Sequence, residues 1–146
     1  MLLTISGAEL FDEDDKEIRL SNDIWSFDTE CVEDEKIYEH IVVQFTQLSK
    51  GKFVITKAES DVDFDNELAK ISFEYNGINY NWDIVFADDW ADFDLLRKLG
   101  NLANSNMDSK QYYYFHDGQQ LTLICCDLES IKKLNNLVKN PYTLLC

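Results

Sequence analysis

Two short turns limit what this chain can fold into more than any other feature. Asn76-Gly77 separates Leu68–Tyr75 from Ile78–Phe86, and Asp117-Gly118 separates Gln111–His116 from Gln119–Cys126. A two-residue primed turn needs positive φ at both central positions, which Asn-Gly and Asp-Gly accept at low cost, so each pair reads as a β-hairpin. The flanking residues alternate. Ile71, Phe73 and Tyr75 face one way and Lys70, Ser72 and Glu74 the other; Ile78, Tyr80, Trp82, Ile84 and Phe86 oppose Asn79, Asn81 and Asp83. One buried face and one wet face is the pattern of an antiparallel sheet.

Helical periodicity fills the intervals. Ile37, Tyr38, Ile41, Val42, Phe45 and Leu48 form one stripe and predict a helix over Val32–Ser49, with Glu33, Asp34 and Glu35 in its first turn and Lys50-Gly51 closing it. Asp88 or Asp89 can cap a second helix carrying Phe93, Leu96, Leu99 and Leu102. Asp127 caps a third, with Leu128, Ile131, Leu134 and Leu137 on one stripe, ending before Pro141. A strand over Phe53–Ala58 runs on into an acidic stretch, and short strands are expected at Met1–Ile5, Glu17–Leu20 and Ile24–Phe27. The expected fold is α+β: an antiparallel sheet built from hairpins with about three helices packed against it. No break divides the 146 residues, so one domain is expected, with residues 1–32 matching no recognisable pattern. In Tyr112-Tyr113-Tyr114-Phe115 alternation sends half of the rings to the core; the other half are either an exposed surface or lie under a helix.

Charge narrows the function. The formal net charge is −15, and residues 1–67 hold 18 acids and 6 bases against 10 and 7 in residues 68–146. So anionic a chain lacks the basic face needed to grip nucleic acid or an anionic membrane. The start, MLLTISGAEL, lacks a signal peptide's basic and long apolar regions, and no apolar run reaches membrane-spanning length, so a cytoplasmic protein is expected. The acids crowd into Asp12-Glu13-Asp14-Asp15, Glu33-Asp34-Glu35 and the alternating Glu59, Asp61, Asp63, Asp65 and Glu67. Such runs often form only a solvated face. Crowded like charges nevertheless repel and lower stability unless a cation offsets them, and a basic protein is the simplest such cation.

Recognisable catalytic chemistry is sparse. Cys31, Cys125, Cys126 and Cys146 have no C-x-x-C spacing, and the adjacent pair points to opposite faces of a strand, so reduced thiols are expected. Only His40 and His116 could complete a zinc site, and the run Asp61–Glu67 has Asn66 where a calcium loop needs glycine. Neither metal nor cofactor is therefore expected. Asp88-Asp89-Trp90-Ala91-Asp92-Phe93-Asp94 places more carboxylates at a helix start than capping requires, and tryptophan beside carboxylates is a protein-contact composition. A carboxylate pair for hydrolysis fits there as well. Glycine-rich phosphate loops, G-x-S-x-G and H-E-x-x-H are missing from the sequence.

Three segments carry a resemblance: Phe73-Glu74-Tyr75-Asn76-Gly77-Ile78-Asn79-Tyr80, Asp88-Asp89-Trp90-Ala91-Asp92, and Tyr112 through Gln120. Over roughly residues 33–138 the chain resembles small immunity proteins of bacterial contact-dependent inhibition and related polymorphic toxin systems. The resemblance implies a non-enzymatic protein that binds one cognate toxin domain, often a nuclease, and blocks it; no site residue transfers by motif. Charge leads to the same expectation, because a nuclease presents a positive cleft that an acidic partner can cover after steered association. The expected toxin-binding residues are Asp12, Asp14, Asp15, Glu59, Asp61, Asp63 and Asp65 for steering, with Asp88, Asp89, Trp90 and Asp92 as a second patch. The alternatives are an acidic adaptor or regulatory module using the same surface, and a metal-dependent hydrolase.

Overall fold

The computed structural model describes residues 9–11 and 17–19 as backbone and residues 23–146 in full. Asp12, Asp14 and Asp15, and the strand expected at Met1–Ile5, lie outside the described residues. The strands are β1 (Glu9–Phe11), β2 (Glu17–Arg19), β3 (Ile24–Asp28), β4 (Thr56–Asp63), β5 (Leu68–Tyr75), β6 (Ile78–Ile84), β7 (Gln111–His116), β8 (Gln120–Cys126) and β9 (Thr143–Leu144). Helix α1 (Ile37–Leu48) follows β3, α2 (Phe93–Asn104) follows β6, and α3 (Leu128–Leu137) follows β8. The fold is α+β, and its strands divide into two principal antiparallel sheets: β3-β8-β7-β9 and β4-β5-β6, with β1 and β2 pairing separately. Each principal sheet is built on one of the two hairpins read from the sequence. Asn76 and Gly77 have φ of 50° and 75°, as a primed turn requires.

The four-stranded sheet is covered on both faces. Tyr112, Leu121, Leu123 and Cys125 join α1, α2 and β5 in the main core, while Tyr113 packs with Ile131 and Tyr142 in a second cluster beneath α3. That resolves the aromatic run on β7: both of its sides are apolar because both are covered. Tyr112 stacks on Phe45 with centroids 3.9 Å apart and donates its hydroxyl to the Phe45 carbonyl at 2.6 Å. Stacking and a satisfied hydroxyl together anchor α1 on the sheet. The three-stranded sheet is covered on one face. Ala69, Ile71, Phe73 and Tyr75 of β5 are buried there, and Tyr80 and Trp82 of β6 are half-buried.

Several boundaries differ from expectation. The acidic triplet Glu33–Glu35 precedes α1 instead of forming its first turn; Asp34 accepts the Lys36 amide at 2.7 Å and holds a turn there. Ser60 of β4 then caps the helix from outside: its hydroxyl accepts the Glu39 amide, and the Ser60 amide donates to the Glu39 carboxylate at 2.8 Å. This reciprocal arrangement does what a capping box does within one helix, with the serine supplied by a strand. Phe53 belongs to the core and not to a strand; β4 begins at Thr56 after Ser49 has tied down both Phe53 backbone groups. Helix α2 is capped by Asp92, not by Asp88 or Asp89, with its carboxylate accepting the Asp94 amide at 3.0 Å. On α3 only Ile131 of the expected stripe is buried, and Leu137 is 82% exposed.

The chain end packs as a strap. The Leu145 amide donates to the Tyr112 carbonyl, and Asn104 donates to the Leu145 carbonyl. A Cβ at Gly100 would stand 2.6 Å from Leu145, so glycine is required on α2 where the strap crosses it.

Candidate functional site

Strand register organises the wet face of the three-stranded sheet. One cross-strand row is Asp61, Lys70 and Asp83, and the next is Glu59, Ser72 and Asn81. These side chains line a trough of about 480 Å³. Lys70 reaches Asp61 only at 3.7 Å, an exposed pair that contributes little after side-chain entropy and screening. Lys36 at the rim is already engaged, donating to Glu39 at 3.0 Å and to the Ser60 carbonyl at 3.3 Å. Glu59 and Asp83 have no ion pair among the described residues.

The β4–β5 turn carries the acidic run to the end of this sheet. Asp63 holds the turn: its carboxylate accepts the amides of Asp65 and Asn66 and the Asn66 side-chain amide at 2.7 Å. Those donors keep its pKa below the usual aspartate value. Asp65 is exposed. Beside the turn, Phe64 meets Phe86 edge-on with centroids 6.0 Å apart. Leu68 and Val85, each 64% exposed, stand at the same end of the sheet on its wet face, the opposite face from Phe86, so this end carries an apolar ridge.

Phe86 leads into the second acidic segment. Asp92 has two structural duties, capping α2 and accepting the Val85 amide at 3.0 Å through its other oxygen, while its own amide donates to the Tyr38 hydroxyl. Burial raises the pKa of that tyrosine to about 12. Because Asp92 supplies the cap, Asp88 and Asp89 are left free of it. Asp88 takes a left-handed backbone, φ 57°, and the Asp89 carbonyl accepts the Val32 amide, which draws residues 28–33 alongside. Glu30 forms a backbone bridge to Trp90, which brings the Glu30 carboxyl close to that of Asp89. The Asp89 charge first and slight desolvation after it, with the charges of Asp28 and Glu33 adding to them, raise the Glu30 pKa. Trp90 is 39% exposed in this carboxylate neighbourhood.

The two acidic segments that the sequence separates therefore meet, through Phe64 and Phe86, at one end of the three-stranded sheet. Of Glu59, Asp61, Asp63, Asp65, Asp88, Asp89 and Asp92, only Asp61 is ion-paired among the described residues; the other pairs use Asp23, Glu39, Glu74, Asp94 and Glu129. Asp63 and Asp92 shape backbone, Glu59, Asp65 and Asp88 are exposed, and Asp89 is half-buried beside Glu30. Sequence reading missed Glu30, Asp83 and the ridge of Phe64, Leu68 and Val85. Alternation does place Asp83 on the wet face, but only strand order shows it in one cross-strand row with Lys70 and Asp61.

Cys31, Cys125, Cys126 and Cys146 form no disulfide among the described residues, and burial raises the Cys125 pKa to about 12. No group of three or more potential ligands is arranged to hold a metal among the described residues. No described helix is long and apolar enough to cross a membrane. The chain matches no family model, no curated protein and no solved structure.

Proposed function

We propose that this protein is a non-enzymatic cytoplasmic inhibitor, an immunity protein of a bacterial contact-dependent inhibition or related polymorphic toxin system. It binds a basic cognate toxin domain and blocks it, and a nuclease is the toxin class whose surface it complements best. The reading is carried by one observation: carboxylates from two distant segments converge around an exposed apolar ridge, and of them only Asp61 is ion-paired among the described residues. Apolar side chains ringed by charge combine the two parts of fast, tight recognition. The ring steers the encounter, and the ridge with Trp90 supplies surface to desolvate.

The test is binding to the basic domain encoded by the gene beside this one. Association is expected to slow steeply as salt rises. Asp65→Asn, Asp88→Asn and Asp89→Asn combined should slow association at low salt and flatten that dependence. Trp90→Ala should act on dissociation, accelerating it by about tenfold or more. An unchanged association rate in the triple variant removes this surface from the interface. Failure to bind the neighbouring product, with capture of some other basic protein by the same residues, makes the molecule an adaptor.

A further inference from the structure

Among the described residues the third strand of the open sheet has a free edge, and the hairpin geometry says which backbone groups it offers. Tyr75 and Ile78 flank the two-residue turn and pair directly across it. In such a hairpin that pair is hydrogen-bonded, and bonded and non-bonded pairs then alternate along the ladder. Ile78, Tyr80, Trp82 and Ile84 therefore direct their N–H and C=O groups at β5. Asn79, Asn81, Asp83 and Val85 direct theirs outward. The fourth of these, Val85, is satisfied within the molecule, since Asp92 accepts its amide at 3.0 Å. Asn79, Asn81 and Asp83 have no such acceptor among the described residues, and β6 is the terminal strand of its sheet.

We infer that the β6 edge at Asn79–Asp83 is a strand-addition site that takes an extended, basic segment of the partner protein. The inference rests on the proposed function for the partner's identity and on the edge geometry for its mode of binding. Strand addition draws affinity from main-chain hydrogen bonds and specificity from alternate side chains. On one side of an added strand, its side chains would lie beside Asn79, Asn81 and Asp83 at the mouth of the 480 Å³ trough, where Asp83 has no ion pair among the described residues and the acids Glu59, Asp61 and Asp83 outnumber the bases Lys36 and Lys70. Lysine or arginine fits there. On the other side they would meet the half-buried rings of Tyr80 and Trp82, and an apolar residue fits there. The occupant is thus an alternating basic and apolar strand. A second copy of this chain is disfavoured, because it would bring another net charge of −15 to the same edge. The strand's far end runs into Val85 and the ridge, so the edge and the apolar patch form one continuous surface.

Two measurements on the full chain test this. In the free protein, amide hydrogen exchange should alternate along β6, slow at Ile78, Tyr80, Trp82 and Ile84 and fast at Asn79, Asn81 and Asp83. Adding a synthetic peptide of alternating arginine and valine should slow exchange at the second set. Asn81→Pro removes one outward N–H, which an edge strand tolerates, and should leave the melting temperature near that of the parent while weakening the peptide by about tenfold or more. Asn81→Ala, which keeps the N–H, should bind within about threefold of the parent and guards against a side-chain explanation. Peptide binding that leaves the Asn79, Asn81 and Asp83 amides unprotected overturns the inference, as does an Asn81→Pro variant that binds normally. Protection that appears with rising protein concentration and no peptide assigns the edge to self-association and overturns it too. If the neighbouring gene's product does not bind yet the peptide protects the edge, the inference stands and the toxin reading falls. If that product binds an Asn81→Pro variant unchanged, the reverse holds.

Discussion

The two principal sheets are built from the same kind of hairpin and have opposite uses. The β7–β8 hairpin sits inside the molecule: β3 and β9 flank it, α1 and α2 cover one face, and α3 covers the other. The β5–β6 hairpin has a single covered face, an open edge and a charged outer surface. The first sheet buries more aromatic side chains, Trp25, Phe27, Tyr112 and Tyr113 against Phe73 and Tyr75 of the second. The second has charges and exposed apolar groups that contribute little to folding, and their crowding opposes it. A region that keeps unpaired carboxylates and solvated Leu68 and Val85 at a cost in stability is the region to examine for binding.

Substitutions break or sharpen this contrast in graded fashion. Tyr112→Ala should cost about 3–5 kcal/mol in denaturant unfolding, because it removes the ring stacked on Phe45 and opens a core cavity. Tyr112→Phe, losing only the bond to the Phe45 carbonyl, should cost about 1–2 kcal/mol. Gly100→Ala should cost about 1–3 kcal/mol by pressing on Leu145, and the cost should shrink in a Leu145→Ala background, a coupling that a double-mutant cycle reads directly. Asp127→Ala, removing the α3 cap that accepts the Ser130 amide at 2.8 Å, should cost about 1 kcal/mol. On the open sheet Ser72→Ala should stay within about 0.5 kcal/mol of the parent. A large loss there would mean that the outer face is structural, and the contrast would collapse.

Acid titration separates the regions by sign. The Asp127 carboxyl is held below its usual value of 3.8 by the Ser130 amide and hydroxyl, so its contribution is present at neutral pH and fades as pH falls below that value. Glu30 behaves oppositely. Its pKa lies above 4.5 in the folded protein, chiefly through the Asp89 charge, so the folded state holds that proton longer than the unfolded chain does. Its contribution is therefore lost as pH rises through the interval just above 4.5. Glu30→Gln should lose less stability than the parent between pH 4 and pH 7, measured as the shift in urea midpoint. Identical shifts would remove the repulsion between Glu30 and Asp89 from the account.

How much of this was legible in the sequence depends on how local the cause is. The Asn76-Gly77 turn, the β5 alternation and the Asp127 cap rest on neighbouring residues and appear where expected. The second hairpin turns one residue later than expected: Asp117 bonds to Gln120 across Gly118-Gln119, and only Gly118 has positive φ. The start of α1 is not where expected, because its cap is Ser60, more than twenty residues away and reached only through packing. The split into two sheets was equally hidden, since β3 pairs with β8 across most of the chain. For the candidate surface, alternation put Asp61, Asp63 and Asp65 outward, but nothing local announces that Phe64 touches Phe86 or that Asp89 meets Glu30. Those contacts turn separate acidic runs into one surface.

The central claim is that the open sheet keeps its carboxylates for a cationic partner and not for its own fold. Its most direct test is to measure unfolding free energy and partner association rate together, at low salt, in the Asp65→Asn, Asp88→Asn, Asp89→Asn variant. The account predicts stability equal to or above the parent's with association at least about tenfold slower, because neutralisation relieves self-repulsion and removes steering. A variant that folds less stably and associates at the parent's rate would contradict it.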